Sequence, residues 1–283
     1  MSESSEIFGW KDFRDWQDFV GETFSKKTLN ALEEKIRGRK SEFRYVDDPS
    51  AFIEVYKALG DFSELFEELL NRFYERYAFL RMYHCCRPIS VESYYNSGIK
   101  VLNISEMNSR FQRIFLGNPK YPLVTPDLVQ AGIEDMAKSY RRHGYVYFGL
   151  DDRYLINHCG HYLIEGSEYL KSLAAFIERK IGGHLKSELR GHGKPTVFEL
   201  QIPISVIPEG ELRVLASELL QTWAYNIAHS KDDPHELAFC IDFDRGLSSD
   251  HIMGHYHPEK IPDPSNGHEF YCYLDDEPSL TSG

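Results

Sequence analysis

Three short stretches, far apart along the chain, combine residue types that can bind and act on a flat, polar ligand. His84 ends the apolar, aromatic segment 78–83, Tyr147 lies in the glycine-bounded segment 144–149, and Glu269 stands near the C-terminus. A tyrosine ring stacks on flat ligands and also offers a hydroxyl. A carboxylate beside a reacting bond favours developing positive charge. The three stretches are therefore candidates for one active site.

The common nucleotide-binding and hydrolase motifs do not compete with this interpretation. The sequence contains no GxGxxG, no GxxxxGK[ST] and no GxSxG. Chemistry must then be sought in the His, Tyr and Glu stretches.

In their order and separation, these stretches resemble the His-Tyr-Glu class of ADP-ribosyltransferases. That family ends its first core strand in a His, carries a Gly-x-Tyr-Phe strand, and places a Glu in a strand near the C-terminus. The resemblance covers roughly residues 78–283 and implies an ADP-ribosyltransferase-like core of short mixed strands. It also implies that NAD is the substrate and that Glu269 is the catalytic carboxylate. His84 would hydrogen-bond a ribose and the amide end of NAD, while Tyr147 would stack on the nicotinamide.

The residue types suit cleavage of the bond between nicotinamide and ribose. Breaking that bond builds positive charge on the ribose, as glycosidic cleavage does through an oxocarbenium-like state. A nearby carboxylate favours this charge, and stacking orients the nicotinamide ring and shields it from water. We therefore expect His84, Tyr147 and Glu269 to converge on one cleft.

Some roles implied by the resemblance remain open between several residues. Cys85 and Cys86 follow His84 where the family usually has Gly and a hydroxyl residue, so the backbone contact to the nicotinamide amide is not assigned. Tyr145 is an alternative to Tyr147 as the stacking ring. The candidates for a second stacking aromatic are Tyr154, His158 and Tyr162.

A second constellation lies in residues 162–169, where Glu165, Ser167 and Glu168 fall at a predicted helix start. Such a group could bind a ribose or position an acceptor. The arginine-led class of the same family uses a Glu-x-Glu pair, whereas this pair is Glu-x-x-Glu and precedes the last strands. Glu168 is therefore kept as a reserve cofactor-binding residue. The alternative is an acidic first turn that suits the helix dipole.

A histidine-rich stretch near the C-terminus could hold a metal ion, but its spacing fixes no complete ligand set. His255 and His257 form a His-x-His pair, with Asp250 and His251 just before it. A proline-bounded loop over the active site is the favoured interpretation, and no metal is predicted.

The secondary structure that must position these residues changes character near residue 78. Residues 52–73 carry the apolar stripe of an amphipathic helix, and Asp61 with Glu64 could cap its second part. Short aromatic strands alternate with helices and long loops further on. The sequence therefore predicts an α+β fold with an N-terminal helical region, 1–77, and a catalytic core, 78–283.

Local patterns predict the elements of that core. Strands are expected over 78–83, 144–149, 196–204 and 268–273. Helices are expected over 89–98, 126–142, 161–182 and 212–227. The stretches 99–125 and 251–264 are expected to be loops.

The charge pattern bears on the acceptor of the ADP-ribose. A formal net charge of −12 disfavours indiscriminate binding to nucleic acid. Basic residues nevertheless gather in three clusters, which are Lys35/Arg37/Arg39/Lys40/Arg44, Arg141/Arg142/His143 and Arg179/Lys180/Lys186/Arg190/Lys194. A basic groove on an acidic surface can accept a single strand locally, so RNA is slightly favoured over protein. The alternative for each cluster is a solvated helix face.

Five cysteines cannot all pair within one chain, and their spacing matches no zinc site. Reduced thiols in a cytoplasmic location are expected. The N-terminal segment lacks the apolar run of a secretory signal, and no stretch approaches the length of a membrane span. We expect no contact with a membrane.

The sequence as a whole predicts an NAD-dependent ADP-ribosyltransferase that modifies a macromolecule. The chain also resembles toxins of bacterial anti-phage systems, which implies a defence effector and a neutralising antitoxin as partner. One alternative is an NAD-degrading toxin, a glycohydrolase or phosphorylase, that uses water or phosphate as acceptor. The other is a non-catalytic binding module that keeps the same fold.

Overall fold

The fold is α+β, as the sequence predicts. The computed structural model describes residues 6–38, 62–139, 143–231, 234–264, 266–267 and 269–273. Eight strands are found among these residues: β1 (Glu6–Phe8), β2 (Tyr77–Cys86), β3 (Val146–Gly149), β4 (Thr196–Pro203), β5 (Cys240–Phe243), β6 (Ile252–Tyr256), β7 (Lys260–Pro262) and β8 (Phe270–Cys272).

Eleven α-helices lie in the same described ranges. They are α1 (Phe13–Thr23), α2 (Lys26–Gly38), α3 (Phe62–Arg76), α4 (Glu92–Ser97), α5 (Ile104–Phe115), α6 (Pro126–Ser139), α7 (Asp152–His158), α8 (His161–Ile164), α9 (Glu168–Ile181), α10 (Leu185–Leu189) and α11 (Glu209–His229).

The chain divides into two compact units. The first comprises residues 1–82 together with 201–239, and the second comprises 83–200 together with 240–283. Sequence reasoning placed a single boundary near residue 78, whereas the first unit also takes in helix α11. That helix packs against α1, α2 and α3, so residues remote in sequence complete the N-terminal unit.

Aromatic side chains form much of the core of the first unit. The Trp10 and Trp16 rings stack with centroids 5.0 Å apart, and the Trp16 indole donates to the Trp10 carbonyl at 2.8 Å. Phe8, Phe73 and Tyr77 meet ring to ring. Burial of such large rings is a major stabilising term in a small core. Strand β1 pairs in parallel with the first half of β2 in this unit.

The second unit contains the antiparallel pairs that carry the candidate site. The strand order is β5–β3–β2–β4–β6, with β3 antiparallel to both β2 and β5 and β6 antiparallel to β4. Strands β7 and β8 form a separate two-stranded antiparallel sheet. A helical cluster from α5, α6, α9 and α10 buries side chains such as Phe111, Phe115 and Leu173 in this unit.

Most of the expected elements are present. Strands β2, β3 and β4 occupy the three earlier predicted strand segments, and α4, α6 and α11 match three predicted helices. The predicted helix over 161–182 is two helices, α8 and α9, with Ser167 capping the second. The described part of the 52–73 stripe is helical in α3, whereas the Asp61 cap lies outside the described residues.

Two segments expected to be loops contain regular structure. Helix α5 lies within 99–125, and strands β6 and β7 lie within 251–264. Strand β6 is half exposed and exists because it pairs with β4, a long-range contact that a local pattern does not reveal. The last strand, β8, begins at Phe270, one residue after Glu269.

None of the helices in the described ranges combines the length and the apolar character that crossing a membrane would require.

Candidate functional site

A cavity of about 390 Å³ opens in the second unit. This volume falls within the range of small-molecule sites. Its walls come from the end of β2, from β3, and from the N-terminal turns of α5 and α9. Its polar and aromatic lining residues include His84, Arg87, Asn103, Glu106, Arg110, Tyr145, Tyr147, Tyr162, Ser167 and Glu168.

His84 stands near the end of β2, and the pairing of β2 with β3 fixes its ring. Its Nδ1 lies 3.0 Å from the carbonyl oxygen of Tyr147. Because a carbonyl oxygen can only accept, Nδ1 carries the proton in this contact. Burial lowers the pKa of His84, against a smaller opposing effect of that hydrogen bond. The neutral ring then keeps a lone pair on Nε2, which can accept a hydrogen bond from a ligand hydroxyl.

Tyr145 and Tyr147 present two aromatic rings to the same cavity. They are 40% and 39% exposed, while Val146 and Phe148 between and beside them are buried. This alternation follows from the two-residue period of a strand, which turns successive side chains to opposite faces. Both tyrosines line the cavity, and the geometry alone does not separate their roles.

Glu168 brings a carboxylate to the cavity at the first turn of α9. Ser167 is the N-cap of that helix, and its hydroxyl accepts from the Tyr169 amide at 3.2 Å. The Tyr162 hydroxyl donates to Glu168 at 3.4 Å. A carboxylate in the first turn of a helix has the sign of charge that suits the helix dipole.

Helix α5 supplies cavity residues that the sequence patterns did not single out, namely Asn103, Glu106 and Arg110. The Asn103 side chain caps the helix by accepting from the Ser105 and Glu106 amides at 3.0 and 3.3 Å. An Asn followed three residues later by a Glu is a helix-start signal. That signal, with the apolar spacing of Ile104, Met107 and Phe111, would have identified α5.

Glu269 and Tyr154 are not among the residues that line this cavity. Glu269 is exposed just before β8, and its carboxylate accepts from the Asn266 amide at 2.8 Å. Tyr154 stacks on His158, with ring centroids 4.8 Å apart. Of the sequence-predicted site residues, the cavity thus gathers His84, Tyr145, Tyr147, Tyr162 and Glu168.

Three cysteines also line the cavity, and the pKa of each thiol is raised. Burial raises the pKa of Cys86 to about 12 and that of Cys240 to about 11, and it raises the pKa of Cys85 as well. The thiolate is the reactive form of cysteine. The raised pKa values disfavour a nucleophilic role, although of the three only Cys85 is buried and the Cys240 side chain is exposed.

The histidine-rich stretch forms hydrogen bonds and ring contacts. The Tyr95 hydroxyl lies 2.8 Å from His255 Nδ1, and His257 Nδ1 lies 2.7 Å from the Pro195 carbonyl. Within the described ranges, no group of three or more His, Cys, Asp or Glu side chains is arranged to hold a metal ion.

The described members of the basic clusters are partly neutralised. Arg190 pairs with Asp263 at 2.7 Å and with Glu165 at 3.3 Å. Lys186 pairs with Glu178 at 3.6 Å. The outlying members Arg39, Lys40, Arg44, Arg141 and Arg142 lie outside the described residues.

Comparison with known proteins identifies no relative: no protein-family model matches the chain, and no curated protein and no solved structure matches it.

Proposed function

We propose that the cavity binds NAD and that the protein transfers the ADP-ribose of NAD to a macromolecule. One observation carries the proposal. His84 and Tyr147, chosen from sequence motifs 63 residues apart, share a cavity and are joined through the imidazole and a backbone carbonyl. Tyr145, Tyr162 and Glu168 line the same cavity, which supplies the aromatic and acidic groups that this chemistry needs.

The reaction breaks the bond between nicotinamide and ribose. The bonding electrons leave with the nicotinamide, which departs neutral, and positive charge develops on the ribose. Tyr147 or Tyr145 stacks on the nicotinamide ring and excludes water from one face. His84 Nε2 accepts a hydrogen bond from a ribose hydroxyl and so orients the sugar. An acceptor oxygen or nitrogen then bonds to the ribose carbon and loses its proton.

We assign to Glu168, in place of Glu269, the role of stabilising the positive charge that develops on the ribose. Glu168 lines the cavity that contains His84, whereas Glu269 does not. Its hydrogen bond from Tyr162 holds it in place. A fixed negative charge close to the ribose lowers the barrier because it interacts more strongly with the transition state than with bound NAD.

Exchanging each carboxylate for its amide separates the two assignments. We expect Glu168→Gln to lower kcat for nicotinamide release by about a hundredfold or more, in the range found for removal of one charge-stabilising group. Glu269→Gln, the matched control, should retain near-normal kcat. A large loss in Glu269→Gln with none in Glu168→Gln would return the role to Glu269.

For the acceptor we propose RNA in preference to protein, on the strength of the basic residues that the sequence concentrates on an acidic chain. The test uses NAD labelled in its adenylate part, incubated with the protein and a cell lysate. The label should then be released by ribonuclease and should survive protease. Label lost only on protease treatment would identify a protein acceptor instead.

An NAD-degrading enzyme is the competing function, because water or phosphate could attack the same ribose carbon. Nicotinamide release with no labelled macromolecule would favour it. Failure of the protein to bind NAD would favour a binding module without catalysis. Either NAD-consuming activity would harm a growing cell, so we propose a toxin or defence effector that a neutralising protein partner controls.

A further inference from the structure

Two arginines at one part of the cavity wall have no carboxylate partner. Arg87 and Arg110 both line the cavity, and neither forms an ion pair within the described part of the chain. Burying a guanidinium charge without a counter-charge is costly. An anionic ligand would remove that cost.

Arg87 is 4% exposed and bonds only to uncharged oxygens. Its Nη1 donates to the Leu163 carbonyl at 2.8 Å. Its Nη2 donates to the Arg190 carbonyl and, at 3.3 Å, to the Tyr271 hydroxyl. Its Nε is buried and has no hydrogen-bond partner among the described residues. Its guanidinium carbon also lies 5.7 Å from the centroid of the Tyr271 ring. Neighbouring Arg190 engages two carboxylates of its own, so Arg87 has no carboxylate partner among the described residues.

Arg110, on helix α5, also lacks a carboxylate partner among the described residues. Its Nη2 donates to the Arg87 carbonyl at 3.2 Å and to the His192 carbonyl at 3.1 Å. Its Nε is buried and also lacks a partner among the described residues. Burial and the neighbouring charge of Arg87 both lower the pKa of Arg110. The protein thus holds two positive charges beside each other in a half-enclosed site.

Among the described residues, no direct ion pair joins Arg87 or Arg110 to the other charged residues of the cavity. Glu106 and Glu168 line the cavity, and Lys100 lines it as a third cation. Glu168 takes a hydrogen bond from Tyr162. The backbone amides at the two helix starts already donate to the capping side chains of Asn103 and Ser167. The guanidinium groups are therefore the donors that would hold an anion.

We propose that Arg110 and Arg87 form an anion subsite that takes a diphosphate group. Arginine presents several donors in a rigid fork that matches phosphate oxygens, and two adjacent guanidinium groups fit the two linked phosphates of a diphosphate better than a single phosphate. The ligand class is therefore a diphosphate or a diphosphate ester. Its identification with the diphosphate of NAD rests on the proposed function.

The binding test uses inorganic pyrophosphate and calorimetric titration of the full chain. Wild type should bind pyrophosphate more tightly than orthophosphate. Arg110→Gln should weaken pyrophosphate binding by about tenfold or more, the loss expected for a charge-assisted hydrogen bond. Arg113→Gln is the matched control, since it removes the same charge from an exposed position on the same helix and should bind like wild type. Equal binding by wild type and Arg110→Gln, or equal weakening by the control, would overturn the subsite.

A second measurement needs no variant and so does not depend on the folding of Arg110→Gln. Wild type is treated with phenylglyoxal, which modifies arginine, and the modified peptides are read by mass spectrometry. Pyrophosphate should protect Arg110 and leave Arg113 reactive. Protection of neither residue, or of both equally, would contradict the proposal.

The outcomes also separate this subsite from the proposed function. Pyrophosphate binding with Arg110-specific protection, in a protein that does not cleave NAD, would support the subsite and count against the transferase. NAD cleavage with an unchanged KM in Arg110→Gln would support the transferase and overturn the subsite.

Discussion

The chemistry proposed here depends on a small number of side chains whose protonation and packing the local structure determines. His84 is neutral because burial opposes its charge, and its tautomer is fixed because Nδ1 meets a carbonyl oxygen. Tyr145 and Tyr147 are exposed because the pleat turns them away from the core. Each property has a direct test at the level of a single residue.

The first prediction concerns the protonation of His84. The imidazole should titrate below the ordinary histidine pKa of about 6.5, since burial disfavours the charged ring. As the pH falls, the histidine of the unfolded chain is protonated before that of the folded protein. The folded protein therefore loses stability as the pH falls below about 6.5, the ordinary histidine pKa. A nitrogen-15 NMR titration of the His84 ring gives the pKa. A midpoint at or above 6.5 would refute the assignment of neutral His84 as a hydrogen-bond acceptor.

The second prediction assigns the stacking ring. Tyr147→Ala should raise KM for NAD by about three- to tenfold, in line with the 0.5–1.5 kcal/mol of an aromatic pair. Tyr147→Phe should change KM little, because the ring remains. Steady-state kinetics of nicotinamide release measure both, with Tyr145→Ala as the comparison. A larger effect in Tyr145→Ala than in Tyr147→Ala would transfer the stacking role to Tyr145.

At the scale of elements, the two helices that open onto the cavity are both capped by residues that line it, Asn103 for α5 and Ser167 for α9. A cap satisfies amides that the helix itself leaves unpaired. The same side chains therefore fix where each helix begins and, with it, where Glu106 and Glu168 stand. Stability and site geometry are linked at these two positions.

The third prediction follows from the Asn103 cap. Asn103→Ala should lower the free energy of unfolding by about 1 kcal/mol. Asn103→Asp should be nearly neutral, because the carboxylate still accepts from the Ser105 and Glu106 amides and suits the helix dipole. Urea denaturation measures both variants. Equal loss in the two would show that the cap is not what stabilises α5.

The fourth prediction compares two glycines with the same backbone conformation. Gly98 has φ +74° and ψ −173°, and Gly182 has φ +74° and ψ −172°, so alanine is strained at each by about 1–3 kcal/mol. A Cβ at Gly98 would also collide with the Leu247 carbonyl, whereas one at Gly182 meets nothing within 4 Å. Gly98→Ala should therefore lower the unfolding free energy clearly more than Gly182→Ala. Equal losses of unfolding free energy for the two variants in urea denaturation would show that the Leu247 carbonyl shifts at little cost.

The sequence was a good guide to elements with strong local patterns and a poor one to elements that depend on remote partners. Strands β2, β3 and β4 are apolar and aromatic, and they were predicted close to their observed bounds. Strand β6 is only partly buried and forms through its pairing with β4. The same limit applies to the site. His84 and Tyr147 stood out by motif, whereas Arg110 was recognisable only once α5 had been located.

At the scale of the whole molecule, every described residue that lines the cavity belongs to the second unit, 83–200 with 240–283. The described residues of the first unit form an aromatic core of their own. The net charge of −12 would repel a phosphate-bearing ligand at long range. The pair of Arg87 and Arg110, which has no carboxylate partner among the described residues, supplies the local attraction that such a ligand needs.

The central claim is that the cavity around His84 binds and cleaves NAD. The most direct test is the rate at which purified full-length protein releases nicotinamide from NAD, compared with His84→Ala. We expect steady release by wild type and a loss of about a hundredfold or more in kcat/KM for the variant, with an unchanged far-ultraviolet circular dichroism spectrum. No release by wild type, or release at the same rate by a folded His84→Ala protein, would contradict it.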